Sequence, residues 1–410
     1  MQEFIPIISL NNGIRVIHKE VASPVSHFGI VINAGTRDEL PDKNGLAHFI
    51  EHTFFKGTSQ RNSYQITKRM ENVGGELNAY TTKEETYFHA SFLSSDYERA
   101  IELLGDILFH ATFPEKELQK EKDVIIAEIN YYRDTPSELI FDEIEEIVFA
   151  SHPLGRNILG TKKSLKQLQR ADVLQFIQKH YTTNQIVLAS VGNIRTNTLI
   201  TFCNKYFGEH PYSECQHIRS PFTTYQPTHI RKHKNISQAH IMLSNLAPSY
   251  QHDDNLPFTL LANLLGGQAM SARLNNIIRE KMGLAYAVEA NYLPYSDTGI
   301  FSAYIGCENK HIEKCIELVF KELNKLKQQK LGTLQLHTAK KQYLGQWSIN
   351  NEAKLNELLS IGRSALSYDK VDDVATSFKK IESITAEQIL EISNHYFVRD
   401  DFSSLIYTKN

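Results

Sequence analysis

The sequence predicts an α+β fold built from two similar α/β-sandwich domains, and three observations carry this prediction. Helix-like and strand-like stretches alternate along both halves of the chain. The segment RADVLQFIQKHY at 170–181 resembles TAEQILEISNHY at 385–396, and each precedes an apolar strand. A looser similarity aligns HFIEHTFFKG at 48–57 with FTLLANLLGG at 258–267. The second half is therefore predicted to repeat the first.

The first half begins with a predicted hairpin, because Asn12-Gly13 separates two short apolar stretches. A strand near 27–34 leads to a short helix at 45–55, for which residues 42–44 supply capping side chains. Paired glycines precede the strand ELNAYTT. Further strands are predicted at 86–92 and 186–191, and helices at about 96–111, 114–133, 137–149 and 164–180.

A polar stretch near 209–234, rich in His, Ser and Pro, is predicted to connect the halves. Strands are then predicted near 237–246, 284–294 and 299–307, and helices at about 256–265 and 271–281. Long helices follow the strand at 299–307 and run to about residue 396, and a last strand covers 402–407. The predicted domains are 1–212 and a homologous domain at 233–410, joined by a linker at 213–232.

Composition narrows the class of protein. The 410 residues carry a formal net charge of -3, which gives no basic field for nucleic acid. No apolar run approaches the ~20 residues needed to cross a bilayer, and the N-terminus lacks a basic n-region and a long apolar segment. The four cysteines form no CxxC pair. We expect a cytoplasmic protein with free thiols that binds neither membranes nor nucleic acid.

The sharpest motif is His48-Phe-Ile-Glu51-His52. On a helix, residues i and i+4 share one face, so both imidazoles can bind one zinc ion while Glu51 lies beside the metal. The order HxxEH is that of the inverted zincins, in which the glutamate is the general base. The alternative is a chance match on a surface helix. The opposite face is apolar enough to anchor the helix, with Leu46, Phe49, Ile50 and Phe54.

A catalytic zinc needs a third protein ligand, and EKDVIIAEINYY at 121–132 offers one. Glu121, Val124, Ile125 and Glu128 fall on one stripe of the predicted helix. A carboxylate on an apolar stripe is costly unless it is paired or bound to metal. Taken alone, Glu128 could be an ordinary, partly exposed glutamate. Together with HxxEH, it is predicted to be the third ligand.

HFIEHTFFKGT followed by the E-x6-E pair of EKDVIIAEI resembles the pitrilysin family of metallopeptidases, and the length resembles its bacterial subfamily of roughly 400 residues. The resemblance implies that His48, His52 and Glu128 bind one Zn2+ per chain and that Glu51 is the general base. It also implies that Glu121 orients a ligand histidine. The alternative for Glu121 is a surface charge.

The resemblance assigns two further sets of residues. GGELNAYTT matches an edge strand that pairs with extended substrate, which places Asn78 and Ala79 near the scissile bond. REKMGLAY matches the segment whose Arg and Tyr contact the substrate carbonyl, here Arg279 and Tyr286. Without the resemblance, these are an ordinary hairpin strand, a surface helix residue and a strand residue.

We therefore expect a zinc endopeptidase that hydrolyses extended or unfolded peptides inside a closed chamber. The zinc-binding catalytic domain is predicted at 1–212, and the homologous domain at 233–410 is predicted to carry Arg279 and Tyr286 but no metal site. The two domains should form one half-shell, as in mitochondrial-processing-peptidase-like proteins. One chain carries both the metal set and the Arg/Tyr pair, so a homodimer with composite sites is predicted. The alternatives are a silent peptide-binding or partner subunit, which would lack the zinc set, and a zinc hydrolase that does not act on peptides.

Overall fold

The computed structural model describes residues 4–409, and these residues form two compact units that each contain one main sheet, while β1 and β12 of unit 1 pair as a separate two-stranded sheet. Unit 1 comprises residues up to Asn130, Arg156–Ser220 and Ser348–Thr376. Unit 2 comprises Tyr131–Gly155, Pro221–Trp347 and Ser377 onward. Each unit thus takes a segment from the other half of the chain. The predicted domain boundaries at 212 and 233 stay a prediction. They divide the chain into consecutive ranges, whereas each compact unit combines ranges from both halves.

The strands are, in chain order, β1 Phe4–Ile5, β2 Ile7–Ser9, β3 Arg15–Glu20, β4 Val25–Ile32, β5 Glu76–Thr81, β6 Thr86–Leu93, β7 Ile186–Gly192, β8 His229–Lys234, β9 Ala239–Ala247, β10 Ala285–Pro294, β11 Gly299–Cys307, β12 Val371–Asp372 and β13 Ser403–Lys409. The α-helices are α1 Leu46–Phe54, α2 Ser63–Glu71, α3 Tyr97–His110, α4 Glu115–Arg133, α5 Pro136–Val148, α6 Lys162–Gln167, α7 Arg170–His180, α8 Thr196–Phe207, α9 Asn255–Gly266, α10 Ile312–Gln328, α11 Thr333–Glu352, α12 Lys354–Tyr368, α13 Val374–Ser383 and α14 Ala386–Tyr396.

The two sheets have one topology. The sheet of unit 1 runs β5-β6-β4-β7-β3-β2, and the sheet of unit 2 runs β10-β11-β9-β13-β8. In each sheet one pair is parallel, β7 with β3 and β13 with β8, and the other pairs are antiparallel. The α+β prediction and the predicted repeat are confirmed by this shared order.

The exchanged helices cover one face of each sheet. Helix α12 lies on β4 and β7 of unit 1, where Leu358 and Ile361 join the core formed by Val31 and Ala189. The approach is close, since a Cβ on Gly362 would lie 2.8 Å from Val31 Cγ2. Helix α5 takes the same place on β9 and β13 of unit 2.

Several predicted elements need correction. The predicted helix at 164–180 is two helices, because Leu168 is extended and Asp172 caps a new start by accepting from the Gln169 N–H. The predicted linker ends in strand β8, whose polar sequence reflects an edge strand with alternate residues exposed. Among the described residues, no helix combines the length and hydrophobicity that crossing a membrane requires. The cytoplasmic location stays a prediction.

Candidate active site

Helix α1 holds the HxxEH motif, and its apolar face fixes it in unit 1. His48 and His52 lie one turn apart, with ring centroids 4.5 Å from each other. Phe54, two residues further on, is fully buried, and its ring lies 4.9 Å from that of Phe88 on β6. The predicted anchor is confirmed, because Leu46, Phe49, Ile50 and Phe54 are all buried.

Glu128 on α4 completes a group of three possible metal ligands. Its Oε2 lies 3.9 Å from His48 Nε2 and 3.7 Å from His52 Nε2, too far for direct hydrogen bonds. Two donors that share one tetrahedral zinc at ~2.1 Å would be about 3.4 Å apart. The three ligand atoms all lie within 4.8 Å of one another, and no other such group occurs among residues 4–409. The donors are therefore spaced for one small cation.

The donor set fits zinc. Two imidazole nitrogens and one carboxylate oxygen are ligands that zinc accepts in catalytic sites. Burial, with a smaller contribution from His52, lowers the pKa of His48 to about 3, so this imidazole is neutral at pH 7, the form that binds metal. Its Nδ1 is buried and has no hydrogen-bond partner among the described residues.

Glu121, on α4, contacts the Nδ1 side of the His52 ring, away from Glu128. His52 Nδ1 donates to Glu121 Oε1 over 2.9 Å, and Lys56 Nζ contacts the other carboxylate oxygen at 2.8 Å. Burial acts to raise the pKa of Glu121, but the hydrogen bonds from His52 and Lys56 outweigh it and hold the pKa below its ordinary value. An ionised Glu121 keeps the proton of His52 on Nδ1, which leaves Nε2 directed at Glu128.

The predicted apolar stripe on α4 is wrong in one residue. Ile125 is fully buried, but the Val124 side chain is exposed. Glu128 itself is half-buried, and burial raises its pKa from the ordinary value, an effect that His52 partly offsets.

Glu51 lies on α1 between the two histidines, close enough to His52 and Glu128 for both to act on its carboxyl group. Burial raises its pKa to about 7, His52 acts in the opposite direction, and the charges of Glu128 and Glu121 raise it further. A carboxyl group whose pKa lies near the operating pH is suited to general-base work. A cation bound next to it would lower this pKa and favour the ionised, accepting form.

Glu39 is a residue that the sequence pattern did not single out. Its carboxylate oxygens accept the backbone N–H groups of Gly45 at 2.9 Å and Ala47 at 2.8 Å, at the start of α1. The predicted cap from residues 42–44 is wrong, because Gly45 occupies the N-cap position in a left-handed conformation. Glu39 is buried, and the charge of Arg156 lies close to it. The available signal was an acidic side chain shortly before the helix.

Strand β5 lies at the open edge of the sheet of unit 1, and α1 packs beside it. The backbone N–H of Ala79 donates a hydrogen bond of 2.8 Å to Oδ1 of its neighbour Asn78. Asn78 and Ala79 are thus on an unpaired strand edge in the same unit as the possible metal ligands.

Comparison with known proteins agrees with this geometry. Residues 15–162 match the family described as Insulinase (Peptidase family M16), and residues 167–343 match the domain described as Peptidase M16 inactive domain. A Bacillus subtilis protein named as an uncharacterized zinc protease, YmxG, is 30% identical over 397 residues, which cover 96% of both chains. The chain belongs to peptidase family M16. The resemblance to the pitrilysin family is thereby confirmed.

Other members span the same length. The beta subunit of the rat mitochondrial-processing peptidase is 28% identical over 95% of this chain and 81% of its own. The crystal structure of a Helicobacter pylori protease matches with a TM-score of 0.89 and 19% identity over 98% of this chain and 99% of that one. An M16 inactive domain from Pseudomonas fluorescens matches with a TM-score of 0.90 and 21% identity over 99% and 98%. These structures support the fold.

In this M16 chain the second half keeps the helix but loses the ligands. The positions aligned with the two histidines and the glutamate are Phe258, Leu261 and Ala262 on α9, and all three are buried in the core of unit 2. These positions therefore contribute packing in unit 2, where the first half has the HxxEH motif.

Arg279 and Tyr286 both lie in unit 2 with exposed side chains. Arg279 belongs to a π-helical stretch, Asn275–Lys281, of a kind that is frequent at functional sites. Its side chain is 45% exposed, and Tyr286 is 49% exposed. Both side chains are accessible to a ligand, and their catalytic roles stay predictions.

Proposed function

We propose that this M16 chain is a zinc-dependent endopeptidase. The observation that carries the proposal is the convergence of His48, His52 and Glu128 within 4.8 Å, with Glu51 on the same helix. The relatives named as zinc proteases add support, since they match over nearly the whole chain. One zinc per chain would be held by the three converging side chains.

The chemistry divides among a few side chains. A zinc ion held by the three ligands would supply an activated water and would polarise the scissile carbonyl. Glu51 takes a proton from the attacking water and later delivers it to the nitrogen of the leaving amine. Glu121 keeps His52 in the tautomer that presents Nε2. Arg279 and Tyr286 donate hydrogen bonds to the carbonyl oxygen as negative charge develops on it.

The proposed substrate is an extended or unfolded peptide. Strand β5 offers an open edge, and a peptide added there would be held by main-chain hydrogen bonds with little demand on its sequence. Asn78 and Ala79 are the residues proposed to lie nearest to the scissile bond. We propose that cleavage occurs inside a chamber closed by two half-shells, which would exclude stable folded proteins.

The proposed assembly is a homodimer with composite sites. Unit 1 carries the possible metal ligands, whereas Arg279 and Tyr286 belong to unit 2. A two-fold dimer can combine unit 1 of each chain with unit 2 of the partner subunit. The alternative is a silent partner subunit, and the name of the inactive M16 domain favours it only for residues 167–343, outside the HxxEH helix.

The test is zinc content and peptide cleavage measured on the same preparations. Glu128→Ala should lose both zinc and activity, since it removes a ligand. Glu51→Gln should retain zinc and lose cleavage, because an amide cannot accept the proton. Full cleavage by Glu51→Gln, after contaminating proteases are removed, would contradict the assignment of the base. A wild-type chain that binds zinc and cleaves no peptide would favour the silent partner.

A further inference from the structure

Tyr286 occupies an irregular position in the sheet of unit 2. The pairing of β10 with β11 shifts between Ala285, which lies opposite Cys307, and Ala287, which lies opposite Gly306. Tyr286 is therefore the extra residue of a β-bulge, a feature that redirects a side chain. Regular alternation with Val288 would put Tyr286 in the core that Val288 enters. The bulge instead places its ring over Gly306.

Gly306 makes this position possible. A Cβ on Gly306 would lie 2.3 Å from Cζ of Tyr286 and 2.5 Å from its hydroxyl, so any other residue would displace the ring. Two residues earlier on the same strand, and on the same face, is Tyr304. The Tyr286 phenol is near enough to Tyr304 to raise the pKa of the Tyr304 hydroxyl. The bulge and the glycine together thus place the two phenols near each other on one face of the sheet.

Tyr304 also has a polar partner in the interior of unit 2. Nδ1 of His240, on β9, lies 2.9 Å from the Tyr304 hydroxyl. His240 is 7% exposed and Tyr304 is 4% exposed, whereas Tyr286 is 49% exposed. Phe141 of α5 covers the Tyr304 ring at a centroid distance of 5.3 Å. The three polar side chains therefore lie in a series from the interior to the exposed Tyr286.

We propose that these groups form a chain of donors in which His240 Nδ1–H donates to Tyr304 and Tyr304 donates to Tyr286. The Tyr286 hydroxyl is then free to donate to the scissile carbonyl oxygen. Hydrogen bonds in series polarise one another, so each donor upstream strengthens the last one. His240 and Tyr304 are positioning residues, and only Tyr286 touches the substrate. This inference rests on the proposed function, because it concerns the donor to the carbonyl.

The charges around the chain favour this direction of donation. Burial raises the pKa of Tyr304, the nearby Tyr286 raises it further, and the charges of Glu289 and Glu138 act in the same sense. Tyr304 therefore retains its proton and can donate it to Tyr286. Burial and the charge of Lys234 lower the pKa of His240, so the ring is neutral with one N–H to give. If Tyr286 donated to Tyr304 instead, the Tyr286 proton would be engaged in that hydrogen bond and could not be donated to the substrate.

The first experiment is a double-mutant cycle on peptide cleavage by the zinc-loaded protein. Tyr304→Phe should lower kcat by roughly 3- to 10-fold, the effect of one hydrogen bond, with KM unchanged. Tyr286→Phe should lower kcat by about 100-fold or more. In the Tyr286→Phe background, Tyr304→Phe should have no further effect, because it acts through that phenol. Equal losses in both backgrounds would mean a structural role and would overturn the proposal.

Two conservative pairs sharpen the test. His240→Asn keeps an N–H near the position of Nδ1 and should retain more activity than His240→Leu. Gly306→Ala should displace the Tyr286 ring and lower kcat, whereas Gly345→Ala, at a glycine whose added Cβ meets no atom within 4 Å, should leave kcat unchanged. Equal activity of the two histidine variants, or a wild-type kcat for Gly306→Ala, would overturn the chain of donors.

A binding measurement gives a second readout. A phosphinic peptide mimics the developing oxyanion, so Tyr304→Phe should weaken its calorimetric affinity by the same 3- to 10-fold factor. Binding of the substrate peptide to Glu51→Gln protein should not respond to Tyr304→Phe. A wild-type rate for Tyr286→Phe would overturn the proposed role of Tyr286 and the donor chain together. Loss of activity in Tyr286→Phe with a wild-type rate for Tyr304→Phe would overturn the donor chain alone.

Discussion

The replacement of Glu121 by Gln should weaken zinc binding about 10-fold without removing a ligand. The carboxylate accepts the His52 proton at 2.9 Å and pairs with Lys56 at 2.8 Å. A partner of this kind, behind a ligand histidine, contributes 10- to 100-fold in metal affinity, or about 1.4–2.7 kcal/mol. Gln keeps a hydrogen-bond acceptor but no charge, so the loss of zinc affinity in Glu121→Gln should be at the lower limit. Glu121→Ala removes both the acceptor and the charge, and its loss of zinc affinity should approach 100-fold.

The assay is competition for zinc against a chromogenic chelator at pH 7.5, for the wild type and each variant. Glu117→Gln is the matched control, because Glu117 lies one turn earlier on α4 and pairs with Lys120 at 2.7 Å. It should bind zinc as the wild type does. Wild-type affinity in both Glu121 variants, together with lost binding in Glu128→Ala, would refute the orienting role of Glu121.

Three further outcomes are expected. Mixing Glu51→Gln protein with an Arg279→Ala, Tyr286→Phe double mutant should restore cleavage in exchanged heterodimers; exchange verified by mass spectrometry without recovered activity would contradict composite sites. A reduced, unfolded domain should be cut much faster than its folded form, and equal rates would argue against a chamber. Burial, and secondarily His27, lowers the pKa of His89 to about 4, so the folded state loses stability as pH falls below ~6.5. His89→Gln should remove about 2 kcal/mol of the difference in urea unfolding free energy between pH 7 and pH 5.

The parts of the site that follow helical periodicity could be predicted from sequence. His48, Glu51 and His52 are spaced so that any helix at this position brings them together. Glu128 was predicted because a carboxylate on an apolar stripe needs a partner, and Glu121 was predicted because the E-x6-E pair resembles that of the pitrilysin family. Their contacts with His52 could not be predicted in this way, because they depend on how α1 and α4 pack in the folded protein.

Features that depend on distant or irregular backbone could not be predicted. Glu39 reaches the start of α1 from a loop, and no local pattern specifies which N–H groups it will meet. The bulge at Tyr286 breaks the period of two on which strand predictions depend. Strand β8 was missed because its six residues, HIRKHK, include one apolar side chain.

The exchange of helices between the halves has a consequence for the order of synthesis. The last strand of the main sheet of unit 1, β7, ends at Gly192, but the helix that covers this sheet begins at Lys354. At about 5–20 residues per second, a ribosome needs on the order of 10–30 s to make the intervening chain. During that interval the apolar face that includes Val31 and Ala189 has no native cover. Unit 1 therefore becomes complete only after α12 has been synthesised, and until then this apolar face is available to a chaperone.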